Sequence, residues 1–180
     1  MTTVQDYNAT RSNKPTSEWW AGPDDDIVDD DDDADGILDV ELELLGHVAT
    51  ARGAVDRLAP DEAKRALDAF IDATENALRP KLDKCGTGVC ETVRENSEIR
   101  EQGIRNARRA VDNADWVVAV QELAGVEAIV LGDVERLDDV LVERRPGRPR
   151  FIDIIEYMRN EPTIGERFAV CLPDASLPGD

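Results

Sequence analysis

Residues 36–80 read GILDVELELLGHVATARGAVDRLAPDEAKRALDAFIDATENALRP, and their patterning decides the fold class. Apolar groups recur at Leu38, Leu42, Leu45, Val48/Ala49, Val55 and Leu58. That step of three to four residues belongs to a helix with one buried face. Pro60 with Asp61 and Glu62 opens a second helix. Proline has no N–H to waste in a first turn, and acids suit the positive end of the helix dipole. The second stripe runs Ala63, Ala66/Leu67, Phe70/Ile71, Thr74 and Leu78, and Pro80 is expected to end it. Two antiparallel helices joined by a tight connection are implied.

Working outward, KCGTGVC (84–90) is a glycine-containing break. A third helical stretch starts near Val89 and continues through Ile104, Ala107, Val111 and Ala114, with Arg105, Arg108 and Arg109 on its outer faces. Asn113 breaks or caps it. Val126, Ile129/Val130, Val134, Leu137 and Val140/Leu141 keep the helical step, with Gly125 and Gly132 as weak points. VEAIVL (126–131) also admits a strand reading, because short apolar runs are ambiguous. Phe151, Ile154/Ile155 and Met158 make a short helix, with Pro149 near its start and Asn160 and Pro162 at its end. The expectation is an all-α bundle of about five helices: an acidic extended arm over 1–36, a helical domain over 37–160, and an irregular C-terminal tail over 161–180 with room for one short strand. No internal repeat of fixed period is read, although the first two helices form a natural pair.

The chain has 180 residues and a net charge of −19, from 40 acids against 21 bases. Nine acids lie between Asp24 and Asp35, too few to account for that excess, so the acidity belongs to the whole surface. Only four of the bases are lysines. At low salt such a charge repels itself, whereas at molar salt the Debye length falls to about 3 Å. A lysine-poor, acid-rich surface resembles proteins of salt-in halophiles, haloarchaea in particular. With aromatics at 4%, the core must be aliphatic. No secretory h-region follows MTTVQDYNATRSNK, and no apolar run reaches membrane-spanning length. The expected setting is the cytoplasm or a virion. Trp19 and Trp20 sit together in the arm. A solvated tail gains nothing from two adjacent indoles, so they fold back onto the domain or fill a pocket on a neighbouring subunit.

Against that acidity, VERRPGRPRFIDI (142–154) concentrates Arg144, Arg145, Arg148 and Arg150 within seven residues free of acids. Gly147-Arg148-Pro149 followed by Arg150 resembles the core of an AT-hook, a minor-groove reader, but Pro146 stands where the hook usually has arginine. Four phosphate contacts imply a salt slope near about −3.6, a steep penalty in brine. The favoured reading is a stiff corner between two helices, with its arginines meeting the acidic surface of the same protein or of a neighbour.

Other patterns carry less. Asp31, Asp33, Asp35 and Gly36 match the start of a calcium loop with Leu38 at the apolar position, but Leu42 stands where the bidentate Glu belongs. Cys85, Cys90, Cys171 and the single histidine, His47, spell a zinc set whose C-x4-C spacing is at the edge of usual. Free thiols are the default, with a Cys85–Cys90 disulfide as the alternative. No nucleotide-binding glycine motif and no nucleophile–histidine set stand out, so neither enzyme chemistry, cofactor nor metal is expected.

The acidic run leading into a helix pair, DDDDDADGILDVELELLGHVATARGAVDRLAPDEAKRALDAFIDATENAL (29–78), resembles the N-terminal half of helical head–tail connector (adaptor) proteins of tailed viruses. The likeness covers about fifty residues and is compositional, and the turn signature of the family after its second helix is absent. It implies a ring-forming subunit whose arms reach its neighbours. The expected function is that of a non-enzymatic assembly protein, homo-oligomeric or docked on other subunits, with no membrane. Trp19, Trp20, Arg144, Arg145, Arg148 and Arg150 are its contact residues. The alternative is a DNA-associated regulator using Arg144–Arg150, aided by Arg105, Arg108 and Arg109.

Overall fold

The computed structural model describes residues 30–160, and within them the protein is an all-α bundle. Helix α1 spans Asp30–Asp56 and α2 spans Pro60–Ala73. A π-helical turn, Thr74–Leu78, passes without a break into α3, Arg79–Leu82. Helices α4 (Gly88–Asp112), α5 (Trp116–Arg144) and α6 (Phe151–Asn160) follow. Helix α1 packs on α2 and α5, and α4 packs on the same two, which places α1 and α4 at opposite corners of a four-helix core. Helix α6 lies on α5.

Two expectations are corrected, and one alternative reading falls. Helix α1 begins at Asp30, so Asp30–Gly36 belong to the bundle rather than to an arm. VEAIVL lies inside α5, and the strand reading falls because neither Gly125 nor Gly132 interrupts the 29-residue helix. Pro80 does not end the second helix. It lacks an N–H, and its ring crowds the turn before it, so the backbone widens into the π turn and continues. Thr74 lies at the start of that turn and donates its hydroxyl to the Phe70 carbonyl at 2.9 Å.

The core is aliphatic as composition requires: Ile37, Leu38, Leu44, Val48, Leu67, Leu78, Ile104, Leu123, Leu137 and Leu141 are all buried. On α1 Leu38, Val48 and Val55 are buried as expected, but the buried surface is broader than the stripe expected. Leu42 and Leu45 are only half-buried and Leu58 is 61% exposed, while Ile37, Leu44, Ala51 and Ala54 face inward.

Both long-helix hairpins close in the same way. After α1, Leu58 N–H donates to Val55 O and Ala59 N–H to Ala54 O; after α4, Ala114 N–H donates to Val111 O and Asp115 N–H to Ala110 O. Each is a Schellman motif whose left-handed residue is not glycine, Leu58 at φ 56° and Ala114 at φ 54°. The next helix starts at once, from Pro60 in one hairpin and from the N-cap Asp115 in the other. The sequences ending the two first helices, ARGAVD (51–56) and ARRAVD (107–112), match at a spacing of 56 residues. The correspondence extends through the core. Ile37 pairs with Val93, Val48 with Ile104, Ala51 with Ala107, Ala63 with Ala119, Leu67 with Leu123 and Leu78 with Val134, every member buried. The bundle is therefore a helix hairpin written twice, a repeat hidden because half of these matched core residues differ in identity.

Candidate functional site

The arginine corner joins α5 to α6 where α1 begins. Gly147, at φ 93°, takes the left-handed turn that other residues avoid. The turn carries Arg145 and Arg148 to one acid: Arg145 Nη1 donates to Asp35 Oδ2 at 2.7 Å, and Arg148 Nη1 donates to Asp35 Oδ1. The Arg148 guanidinium also stands 5.7 Å from the centre of the Phe151 ring. Arg150 pairs with Asp139 at 2.7 Å. Asp138, fully buried, accepts the backbone N–H of Ile152 at 2.8 Å and so caps the start of α6. The corner thus pins α1 and α6 to the end of α5. Arg144 lies on the exposed side of the same corner. Trp19 and Trp20 lie outside the described residues. Beside the corner, α6 turns Ile154 (41% exposed) and Tyr157 (59%) outward, one turn apart.

A second cluster, which sequence periodicity did not reveal, sits in the bundle interior. Arg100 of α4 reaches across to Glu41 of α1 with both terminal nitrogens, Nη2 at 2.9 Å from Oε1 and Nη1 on Oε2. Asp133 of α5 lies 3.4 Å from Arg100 Nη1; it also accepts from Asn96 at 2.6 Å and from Arg136 at 3.0 Å. Glu41, Arg100 and Asp133 are all essentially inaccessible. Burial raises the Glu41 carboxyl above the usual carboxylate range against the pull of Arg100, and the nearby Asp133 adds to the rise. Burial likewise raises Asp133, opposed by Arg100, by the Asn96 hydrogen bond and by Arg136. The repeat carried a clue: Arg100 stands where the first hairpin has Leu44. A charged residue in a core column demands buried partners.

The outer arginines of α4 are engaged differently. Arg105 pairs with Glu101 at 3.0 Å and Arg108 pairs with Asp68. Arg109 lines a cleft of about 220 Å³ with Asn106, Asn113, Asp115, Val118 and Glu122.

The calcium loop does not form among the described residues, and of the zinc set Cys171 lies outside them. Asp31, Asp33, Asp35 and Gly36 lie within helix α1, where no coordinating loop can form, and Asp35 is taken by the two arginines. Cys85 and Cys90 are joined in a disulfide across the break between α3 and α4, in place of the free thiols expected. The close of α3 and the start of α4 bring their Cα atoms to 6.1 Å, within disulfide range. Thr87 places its hydroxyl 3.3 Å from one sulfur and 3.2 Å from the other. His47 is half-exposed on α1, 3.5 Å from Glu43. No group of three or more metal-binding side chains occurs among the described residues, and none of their helices is long and apolar enough to cross a membrane.

The fold and the corner define a class: a duplicated-hairpin four-helix bundle with an appended, arginine-clamped helix. No protein-family model matches the chain, and comparisons with curated proteins and with solved structures give no match either.

Proposed function

We propose that this protein is a non-enzymatic assembly component that docks onto neighbouring subunits, itself or others, in a salt-rich setting. The observation that carries this reading is the outer face of α6, where Ile154 and Tyr157 stand exposed beside the clamped arginines. Tyrosine, arginine and an aliphatic residue on a rigid element make the usual centre of a protein contact. Helix α6 is held at both ends, by Asp138 at its start and by the Arg159–Glu127 pair at its finish, so its face is preorganised. Trp19 and Trp20 supply a second apolar anchor on the N-terminal arm. Both anchors keep their strength in molar salt, where exposed ion pairs fade. A virion connector, the role implied by the resemblance of residues 29–78, is one assembly of this kind.

The alternative, a DNA-associated regulator, is favoured by the density of arginine between 144 and 150 but opposed by its chemistry. Arg145, Arg148 and Arg150 already hold Asp35 and Asp139, and a phosphate backbone would have to displace those carboxylates within a protein of net charge −19.

Size-exclusion chromatography with light scattering in ~3 M KCl, a salt regime where the Debye length is a few ångströms at most, is expected to give a defined oligomer. Replacing Trp19 and Trp20, or Tyr157, by alanine should shift that oligomer toward monomer with helicity unchanged. A strict monomer that retards duplex DNA would reverse the order of the two readings.

A further inference from the structure

Helix α6 covers only half of the face it packs on. It runs antiparallel to α5, from Asp138, which caps its first turn, to Glu127, which takes Arg159 near its end. On α5 that face continues in helical register to Ala124, Val120, Val117 and Trp116. Val117 is 68% exposed and Val120 36%; Ala124 is exposed and Trp116 half-buried. The repeat supplies an internal control. At the matching positions of α2 stand Asp61, Lys64 and Asp68 in place of Val117, Val120 and Ala124. Asp61 and Asp68 are exposed as their counterparts are, and Lys64 is half-exposed. There Lys64 and Asp68 pair with Asp112 and Arg108 of α4, so the first hairpin fills these positions with engaged charge, and a strongly acidic surface disfavours leaving valines wet in the second.

We propose that this face is covered in cis by the C-terminal segment 161–180, seated through its apolar run Phe168–Leu172. Three observations converge on that occupant. The described residues end at Asn160, next to Arg159, whose side chain reaches Glu127, and α6 runs along α5 toward the uncovered face. The distance from Glu127 down to Val117 is ten helical residues, about 15 Å. Phe168 lies eight residues beyond Asn160, a reach of about 12 Å if helical and at most about 28 Å if extended, so the ~15 Å to Val117 falls within its range. Finally, Phe168, Ala169, Val170, Cys171 and Leu172 make a five-residue uncharged run that matches a face free of charge from Trp116 to Gln121.

This inference is independent of the assembly reading, and its test uses the full chain. With Cys85 and Cys90 paired, Cys171 is the remaining cysteine and accepts a nitroxide label inside the proposed segment. In an isotopically diluted sample, so that only the chain's own label acts, amides of Trp116–Ala124 should lose most of their intensity. Those of the matching turns of α2 should keep theirs. The double variant Val117→Asp, Val120→Lys, which copies α2, should restore the lost signals at unchanged helicity. Loss spread evenly or centred elsewhere, no loss at all, or loss seen only when labelled and unlabelled chains are mixed would each overturn the proposal. The last outcome would place the segment on a second copy instead.

Discussion

Arg100 is the residue on which the interior balance turns. Two buried carboxylates face it, and removing the guanidinium would leave both without their main counter-charge. Arg100→Met should therefore cost about 3–5 kcal/mol, read as a lower urea midpoint, whereas an exposed pair such as Arg57–Glu62 should cost below about 1 kcal/mol. The raised Glu41 and Asp133 carboxyls give a sign for pH dependence. Over the window above the ordinary carboxylate range, the folded protein keeps protons that the unfolded chain has released. The stabilisation this gives is complete below the unfolded pKa and is lost as pH rises through the raised folded values. Asp112, lowered chiefly by its hydrogen bond from Lys64, works in the opposite sense and loses its share as pH falls. Glu41→Gln should flatten the decline of unfolding free energy between acid and neutral pH; an unchanged slope would mean that Glu41 stays ionised throughout. The two left-handed turn residues offer a gain instead. Leu58 is largely exposed, so Leu58→Gly gives up little packing and relieves a conformation costing about 1–2 kcal/mol. Thermal melts should place this variant above the wild type.

At the scale of elements, α4 and α5 approach closely at Gly103. A Cβ on Gly103 would meet Val126 Cγ2 at 2.6 Å. Helix propensity favours alanine over glycine by about 1 kcal/mol, but a branched side chain on the facing helix must yield to it. Gly103→Ala is expected to destabilise on balance, by about 1–2 kcal/mol in a denaturant titration. The disulfide between α3 and α4 closes a short loop, which on loop-closure grounds contributes about 2 kcal/mol, and reduction by a dithiol should lower the melting midpoint accordingly. Element boundaries show what was legible in the sequence. Pro60 and Asn113 marked helix ends because their chemistry is local: a missing donor and a cap. Pro80 misled because the helix absorbed it by widening, supported by tertiary packing around Leu78 and Leu82. The stripe on α1 was misread at Leu42 and Leu45. A helix buried between α2 and α5 hides more than one face, and small residues such as Ala51 and Ala54 fill the tightest places. The corner was legible as a turn whose arginines meet acids of this chain or of a neighbour, whereas Asp35 as their acceptor depended on α1 starting earlier than its apolar pattern. The Glu41–Arg100–Asp133 cluster was illegible to a search for apolar periodicity, since its members occupy core positions with charged residues.

For the whole molecule, two electrostatic effects oppose each other. A net charge of −19 repels itself and weakens the compact state, and salt relieves this. Half-exposed ion pairs such as Arg145–Asp35 and Lys64–Asp112 hold elements together, and salt weakens them. The fully buried Glu41–Arg100 pair is beyond the reach of mobile ions and should not respond. Repulsion involves every excess acid, whereas each half-exposed pair is worth at most about 1 kcal/mol. Relief of repulsion should therefore win, and the melting midpoint should climb from 0.1 to 1 M KCl, as the Debye length contracts from about 10 to about 3 Å. Beyond that, screening has little left to remove. Any further rise must come from salts that strengthen apolar burial, so sulfate should continue the climb while chloride levels off. A midpoint that falls across the first interval would mean that the clamps at the corner and along α4, rather than the aliphatic interior, decide whether the bundle stays closed. Asp35→Asn would then melt much earlier than the wild type at low salt and converge with it in brine.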